Sequence, residues 1–148
     1  MGSLYRSRHE LIAVFKNGQA THINNVQLGR YGRYRSNVWN YHGISTMRAG
    51  REDELAMHPT VKPVRMLADA MQDCSHRGDV VLDPFGGSGS TLIAAERTGR
   101  LARLVELEPR YVDVTIPRWQ TLTGMAAVNE EAGLTFAKCK AAAETSHD

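Results

Sequence analysis

The residues best spaced for chemistry in this 148-residue chain are Asp83-Pro84-Phe85-Gly86-Gly87-Ser88-Gly89-Ser90 and, twenty positions after Gly86, Glu106. Glycines without side chains let a backbone approach a ligand closely, and a helix behind them offers free N–H groups. An acid about 20 residues beyond such a loop, at the end of the next strand, suits the hydroxyls of a ribose. The loop narrows the nucleoside. It lacks the GK[ST] ending of a triphosphate cradle, and GGSGS departs from the GxGxxG of dinucleotide folds. A nucleophile elbow needs glycine where Ser90 stands. Asp83 is awkward beside a pyrophosphate but suits an ammonium, such as the one on the methionine end of S-adenosylmethionine.

These residues need elements to hold them. Val64, Leu67, Ala68, Met71 and Cys74 recur at helical spacing, so a helix is expected over 63–75 with Pro63 in its first turn. Residues 79–83 form a short apolar run bounded by acids, as in a buried parallel strand. The glycine loop follows, then a helix over Thr91–Thr98 closed by Gly99, and a second strand over Leu101–Glu106. Strand, loop, helix and strand in this order make a βαβ unit. Pro109 opens a last helix, and Pro117 within it is expected to bend or break it.

The flanks read differently. Residues 8–16 alternate loosely and predict a strand closed by the turn Asn17-Gly18. Residues 19–57 are polar and rich in Gly, Asn and Arg, with one short strand expected near Asn37–Tyr41. Residues 126–148 are Ala- and Glu-rich with little to bury, and a frayed tail is expected there.

Composition sets outer limits. Hydrophobic residues make up 42% and charged residues 23%, as in ordinary globular domains. No apolar stretch approaches the length of a membrane span, and the N-terminus lacks the apolar core of a secretory signal. Cys74 and Cys139 stand far apart with no CxxC pair, so neither a metal site nor a disulfide framework is expected and a reducing cytoplasm is the default. The net charge of +2 hides an asymmetry. Residues 1–51 hold eight Lys/Arg against one acid, while residues 52–148 hold ten against fifteen. Six of the ten aromatics share the basic third, a mixture suited to phosphates and bases.

At the level of motifs, His58-Pro59-Thr60-Val61-Lys62-Pro63, Val81–Ser90 and Leu104-Val105-Glu106-Leu107-Glu108-Pro109 follow one another as in the amino-group DNA methyltransferases, which this chain resembles over about residues 2–124. Those enzymes methylate adenine N6 or cytosine N4 with S-adenosylmethionine. The resemblance implies that Asp83, Phe85, Gly86, Gly87 and Gly89 line the cofactor, that Thr60 and Lys62 hold its carboxylate, and that Glu106 binds its ribose. It makes 19–57 a target-recognition segment on double-stranded DNA, with Arg30, Arg33, Arg35 and Asn37 as candidate contacts. It also implies a cytoplasmic, nucleoid-associated protein with adenine as the preferred target.

Three departures qualify the likeness. Ser90-Thr91 stands where two threonines are common, and Pro117 interrupts the last helix. More important, the family positions its target amino group with an [Asp/Asn/Ser]-Pro-Pro-aromatic segment. The five prolines (59, 63, 84, 109 and 117) include no adjacent pair, so no catalytic residue is assigned. The expectation is a partial α/β, Rossmann-like methyltransferase fold with the cofactor half retained and the catalytic half missing. Its parts are a late strand and turn (1–18), the recognition segment (19–57), the cofactor-binding βαβ region (58–125) and a disordered tail (126–148). Such a piece would expose apolar faces at Leu11 and Val81 and call for a second chain carrying the missing half. The alternatives are a non-catalytic module binding cofactor or DNA, a gene remnant with no activity and, more distantly, a nicotinamide oxidoreductase.

Overall fold

The computed structural model describes residues 4–5, 9–41 and 61–145. Its centre is the expected βαβ unit. Strands β1 (Val80–Asp83) and β2 (Leu101–Leu104) run parallel, with Val80 opposite Leu101 and Asp83 opposite Leu104. Helix α2 (Ser90–Thr98) makes the crossover and ends at Gly99, whose φ of 71° suits a residue without Cβ. Helix α1 (Val64–Cys74) packs along α2. Ala94 and Ala95, both fully buried, let the two helices approach, and Met71 fills the seam. Val64, Leu67, Ala68, Val81 and Ala102 complete this small core. Helix α3 (Pro109–Thr123) follows, with Pro109 at its start where a missing N–H costs nothing.

Several expectations are corrected. Pro63 precedes α1 rather than lying in its first turn: its ψ of 122° is extended, and its carbonyl accepts the N–H groups of Met66 and Leu67. Strand β2 stops at Leu104, so Glu106 lies in the following loop and does not close the strand. Helix α3 continues unbroken through Pro117 to Thr123. One lost backbone bond is outweighed there by side chains on the same stretch that tie the helix to the glycine loop and to α2.

The flanks differ more. Residues 9–17 form no strand and are exposed throughout, because no described residue pairs with their backbone groups. Residues 37–41 are likewise irregular, and among the described residues of the basic segment the regular element is a single turn of 3₁₀ helix at Gln27–Gly29. Of the tail 126–148, the described residues 128–145 hold regular elements where fraying was expected. Strands β3 (Val128–Asn129) and β4 (Leu134–Thr135) form a hairpin, and helix α4 (Phe136–Thr145) follows. An Asn129 side chain accepting the Ala132 N–H and Gly133 at φ 64° supply the turn, and the run of alanines favours helix.

Exposure of the sheet is shifted by one residue from expectation. Val81 packs on the helices, whereas Val80 and Leu82 point the other way and are 61% and 67% exposed. Period-two alternation places Val80, Leu82 and Leu101 together on a face that no described helix covers.

Candidate cofactor site and basic platform

The glycine loop leaves β1 at the carboxyl end of the parallel pair, where ligands bind in open α/β sheets. Asp83 fastens both ends of the turn. Its Oδ1 accepts the Phe85 N–H at 2.9 Å, and its Oδ2 accepts the Thr91 hydroxyl at 2.6 Å. Gly86 donates its N–H to the Val105 carbonyl at 2.9 Å, which stitches the loop to the chain beyond β2. Gly87 and Gly89 have φ of 52° and 77°, conformations that L side chains rarely adopt. At Gly89 a Cβ would also lie 2.5 Å from Thr115 Cγ2. The Thr115 hydroxyl in turn donates to the Gly87 carbonyl at 3.0 Å, and Arg118 Nη1 donates to the Ser88 carbonyl at 3.0 Å.

Glu106 meets this loop directly. Its Oε2 accepts the Gly87 N–H at 2.6 Å and its Oε1 accepts the Glu108 N–H at 2.9 Å. The structure therefore gathers Asp83, Phe85, Gly86, Gly87, Gly89 and Glu106 at one end of the βαβ unit. Phe85 is 84% exposed beside them. Each carboxylate oxygen of Asp83 keeps acceptor capacity beyond the bond just given. As hydrogen-bond acceptors these two carboxylates fit an ammonium and vicinal hydroxyls on one ligand. Lys62 lies just before α1, with Nζ 2.6 Å from Glu10 Oε2 on the surface. Thr60 lies outside the described residues. Among the described residues no three His, Cys, Asp or Glu side chains are grouped to hold a metal ion.

The basic segment is fastened to α1 by a polar cluster. Arg33 donates from Nε and Nη2 to Asp73 Oδ1 at 2.9 and 2.7 Å, and from Nη1 to Gln72 at 2.6 Å. Arg35 donates from Nε to Asp73 Oδ2 at 3.0 Å and pairs with Asp69 at 3.2 Å. The Tyr41 hydroxyl donates to Asp69 at 2.5 Å. Asn25 closes the end of α1 by donating from Nδ2 to the Gln72 and Ser75 carbonyls. Burial pushes the Asp69 carboxyl up, but the Tyr41 bond and the two guanidiniums outweigh it and hold the group below its ordinary value. Burial and the bond to Asp69 push the Tyr41 phenol up. Arg35 is held more firmly protonated: its bonds to Tyr41 and Asp73 and the charges of Asp73 and Asp69 overcome burial.

Of the candidate DNA contacts, Arg33 and Arg35 are thus spent largely within the protein. Arg30 and Asn37 are exposed, and the Arg30 guanidinium lies 5.8 Å from the Tyr31 ring centre. Residues absent from the sequence-based site include Thr91, Thr115, Arg118, Asp69, Asp73 and Asn25. A signal for two of them existed, since Asp69 and Asp73 stand one helical turn apart and can face the Arg33/Arg35 pair.

Comparison with known proteins gives the same family. Residues 3–117 match the profile of the N6 and N4 methyltransferases, described as DNA methylase. The chain is 29% identical over 87 residues to the type II methyltransferase M.ScaI of Streptomyces caespitosus, covering 59% of this chain and 29% of that protein. It is 34% identical over 82 residues to the DNA adenine methyltransferase YhdJ of Escherichia coli, covering 55% and 26%. Among solved structures, TTHA0409 of Thermus thermophilus, complexed with S-adenosyl-L-methionine, shares 38% identity over 53% of this chain and 36% of that one, with a TM-score of 0.42. The match to M.ScaI and YhdJ spans less than a third of either protein. With most of its length inside the family profile, this chain belongs to the DNA methylase family, whose methyl donor is S-adenosylmethionine.

Proposed function

We propose that this chain binds S-adenosylmethionine at the glycine loop and serves as the cofactor-holding part of a DNA amino-methyltransferase. The observation carrying this reading is the convergence of Asp83, the Gly86–Gly89 turn and Glu106 at the carboxyl ends of two parallel strands. Asp83 is suited to the cofactor ammonium and Glu106 to the ribose hydroxyls, with Phe85 and the glycines lining the space between. Thr60 and Lys62 would then take the cofactor carboxylate, Lys62 exchanging its surface partner Glu10 for it. The cofactor supplies a methyl group on a positively charged sulfur, which an exocyclic amino nitrogen of a DNA base can accept. Adenine N6 is the preferred acceptor, supported by the likeness to an adenine methyltransferase. Exposed Arg30 and Asn37 on the basic segment are proposed to face double-stranded DNA, which would place the protein on the nucleoid.

The part that orients the amino group is proposed to lie elsewhere, on a polypeptide stretch bearing the Pro-Pro segment, because no two prolines adjoin in this chain. That same fact favours a second reading, a module that binds cofactor or DNA without catalysis. Calorimetric titration with S-adenosylmethionine, its demethylated product and NAD tests the first step. Binding of the first two and not NAD is expected; binding of NAD alone would overturn the reading. Methyl transfer to DNA on adding a polypeptide that carries the Pro-Pro segment would separate the two readings.

A further inference from the structure

Beside the start of α1 lies an open cavity of about 450 Å³, within the range of small-molecule sites. Its lining is unusual for this surface, with Tyr34, Trp39 and Tyr41 around it, Asn40 as an amide and Arg65 as a cation. Arg35, Asp69 and Tyr41 also line it and are already bonded to one another. The aromatic rings are held in place. The Arg35 guanidinium lies 5.3 Å from the Trp39 ring centre, and Tyr41 meets Trp39 edge-on at 6.4 Å. Gly29 has φ of 91°, and a Cβ there would fall 2.2 Å from the Tyr34 ring, so that ring rests against bare backbone. By contrast Arg65 makes no ion pair or hydrogen bond among the described residues, and Asn40 is exposed. Asp69 is offset by Arg35, which leaves Arg65 as the uncompensated charge among the described lining residues. A preorganised aromatic surface beside such a cation and an amide matches the chemistry of a nucleotide, since bases stack on aromatic rings and phosphates pair with arginine.

We propose that this cavity is a binding site for one unstacked nucleotide of a DNA strand, its base against Trp39 or Tyr34 and its phosphate on Arg65. The proposal rests on the DNA-directed reading above but concerns a different place from the glycine loop. It also assigns work to residues other than Arg33 and Arg35, whose charges are engaged inside the platform.

Trp119 donates to Glu96 and lines no part of this cavity, so a Trp119→Phe chain reports Trp39 fluorescence alone. It is titrated with a duplex carrying one unpaired nucleotide and with the same duplex fully paired. Trp39 emission is expected to be quenched by the first, with affinity at least fivefold above the second. Arg65→Ala should remove most of that preference, while Arg65→Lys, which keeps the charge, should retain most of it. Equal affinity for both duplexes with unchanged Trp39 emission, in a chain that still binds S-adenosylmethionine, overturns the cavity assignment alone. Absence of DNA binding at low salt overturns the assignment, and absence of cofactor binding as well overturns the proposed function with it.

Discussion

At the residue scale the loop depends on carboxylates that act inside the protein before any ligand arrives. Glu106 holds the Gly87 and Glu108 N–H groups, so its removal has two effects that must be separated. Glu106→Ala is expected to weaken S-adenosylmethionine binding by about 1.5–3 kcal/mol, the size of a hydrogen bond to a charged group. Against an analogue lacking the ribose 2′ and 3′ hydroxyls the loss should shrink. An equal loss for both ligands, read by calorimetry, would confine Glu106 to supporting the loop. Gly89→Ala tests the turn itself. It combines left-handed strain with a 2.5 Å approach to Thr115 and should destabilise the fold by about 1–3 kcal/mol. Gly78→Ala carries similar strain (φ 85°) in open space and should cost less, as denaturant midpoints would show. The glycines were legible in the sequence; the reason for this one, a threonine on a helix 26 positions away, was not.

At the element scale, α1 is gripped on two sides, by α2 through apolar packing and by the basic segment through Asp69 and Asp73. Asp73 receives three guanidinium bonds, so Asp73→Asn is expected to loosen the platform by about 1–2 kcal/mol, discounted for partial exposure. Solvent protection of residues 25–41 in hydrogen exchange should fall while that of α2 persists. Asp69 predicts a pH dependence. Its folded-state value lies below the ordinary 3.8, so its contribution is complete above that value and is lost as pH falls through the lowered one. Urea midpoints between pH 6 and 3 should decline less in Asp69→Asn than in the parent chain. The helices of this region were readable because a 3.6-residue apolar period is local. Of the strand expected at 8–16, the described residues 9–16 form none, because a strand is completed by a neighbour that periodicity cannot supply.

For the whole molecule, the charge asymmetry and the open sheet face have measurable consequences. Binding to duplex DNA is expected to fall steeply with salt, and a flat response between 50 and 200 mM would leave the basic third without a role there (the ~10³-fold scale of such losses requires several phosphate contacts). The apolar face of Val80, Leu82 and Leu101 leaves the two-stranded sheet half-covered. This 148-residue chain alone is expected to show no methyl transfer to unmethylated DNA above a Glu106→Ala control, because its sequence carries no Pro-Pro segment to hold the target amino group. Turnover well above that control, measured with labelled cofactor, would reveal a catalytic group not identified in the site.

The sequence alone determined the βαβ order, the glycine turn and the spacing that brings Glu106 back to it. These follow from local conformational preference and from counting residues, and the structure repeats them nearly to the residue. Motif resemblance likewise identified the family that residues 3–117 match. Only the tertiary structure decided which charges remain available. Arg33 and Arg35 look the same in sequence as Arg30 and Arg65, yet two are held by acids about 40 positions away and two pair with no acid among the described residues. It also decided that Val80 and Leu82 rather than Val81 face outward, because the phase of a strand is set by what packs against it. Pairing and phase are long-range facts, fixed when distant segments meet and invisible in the order of residues along the chain.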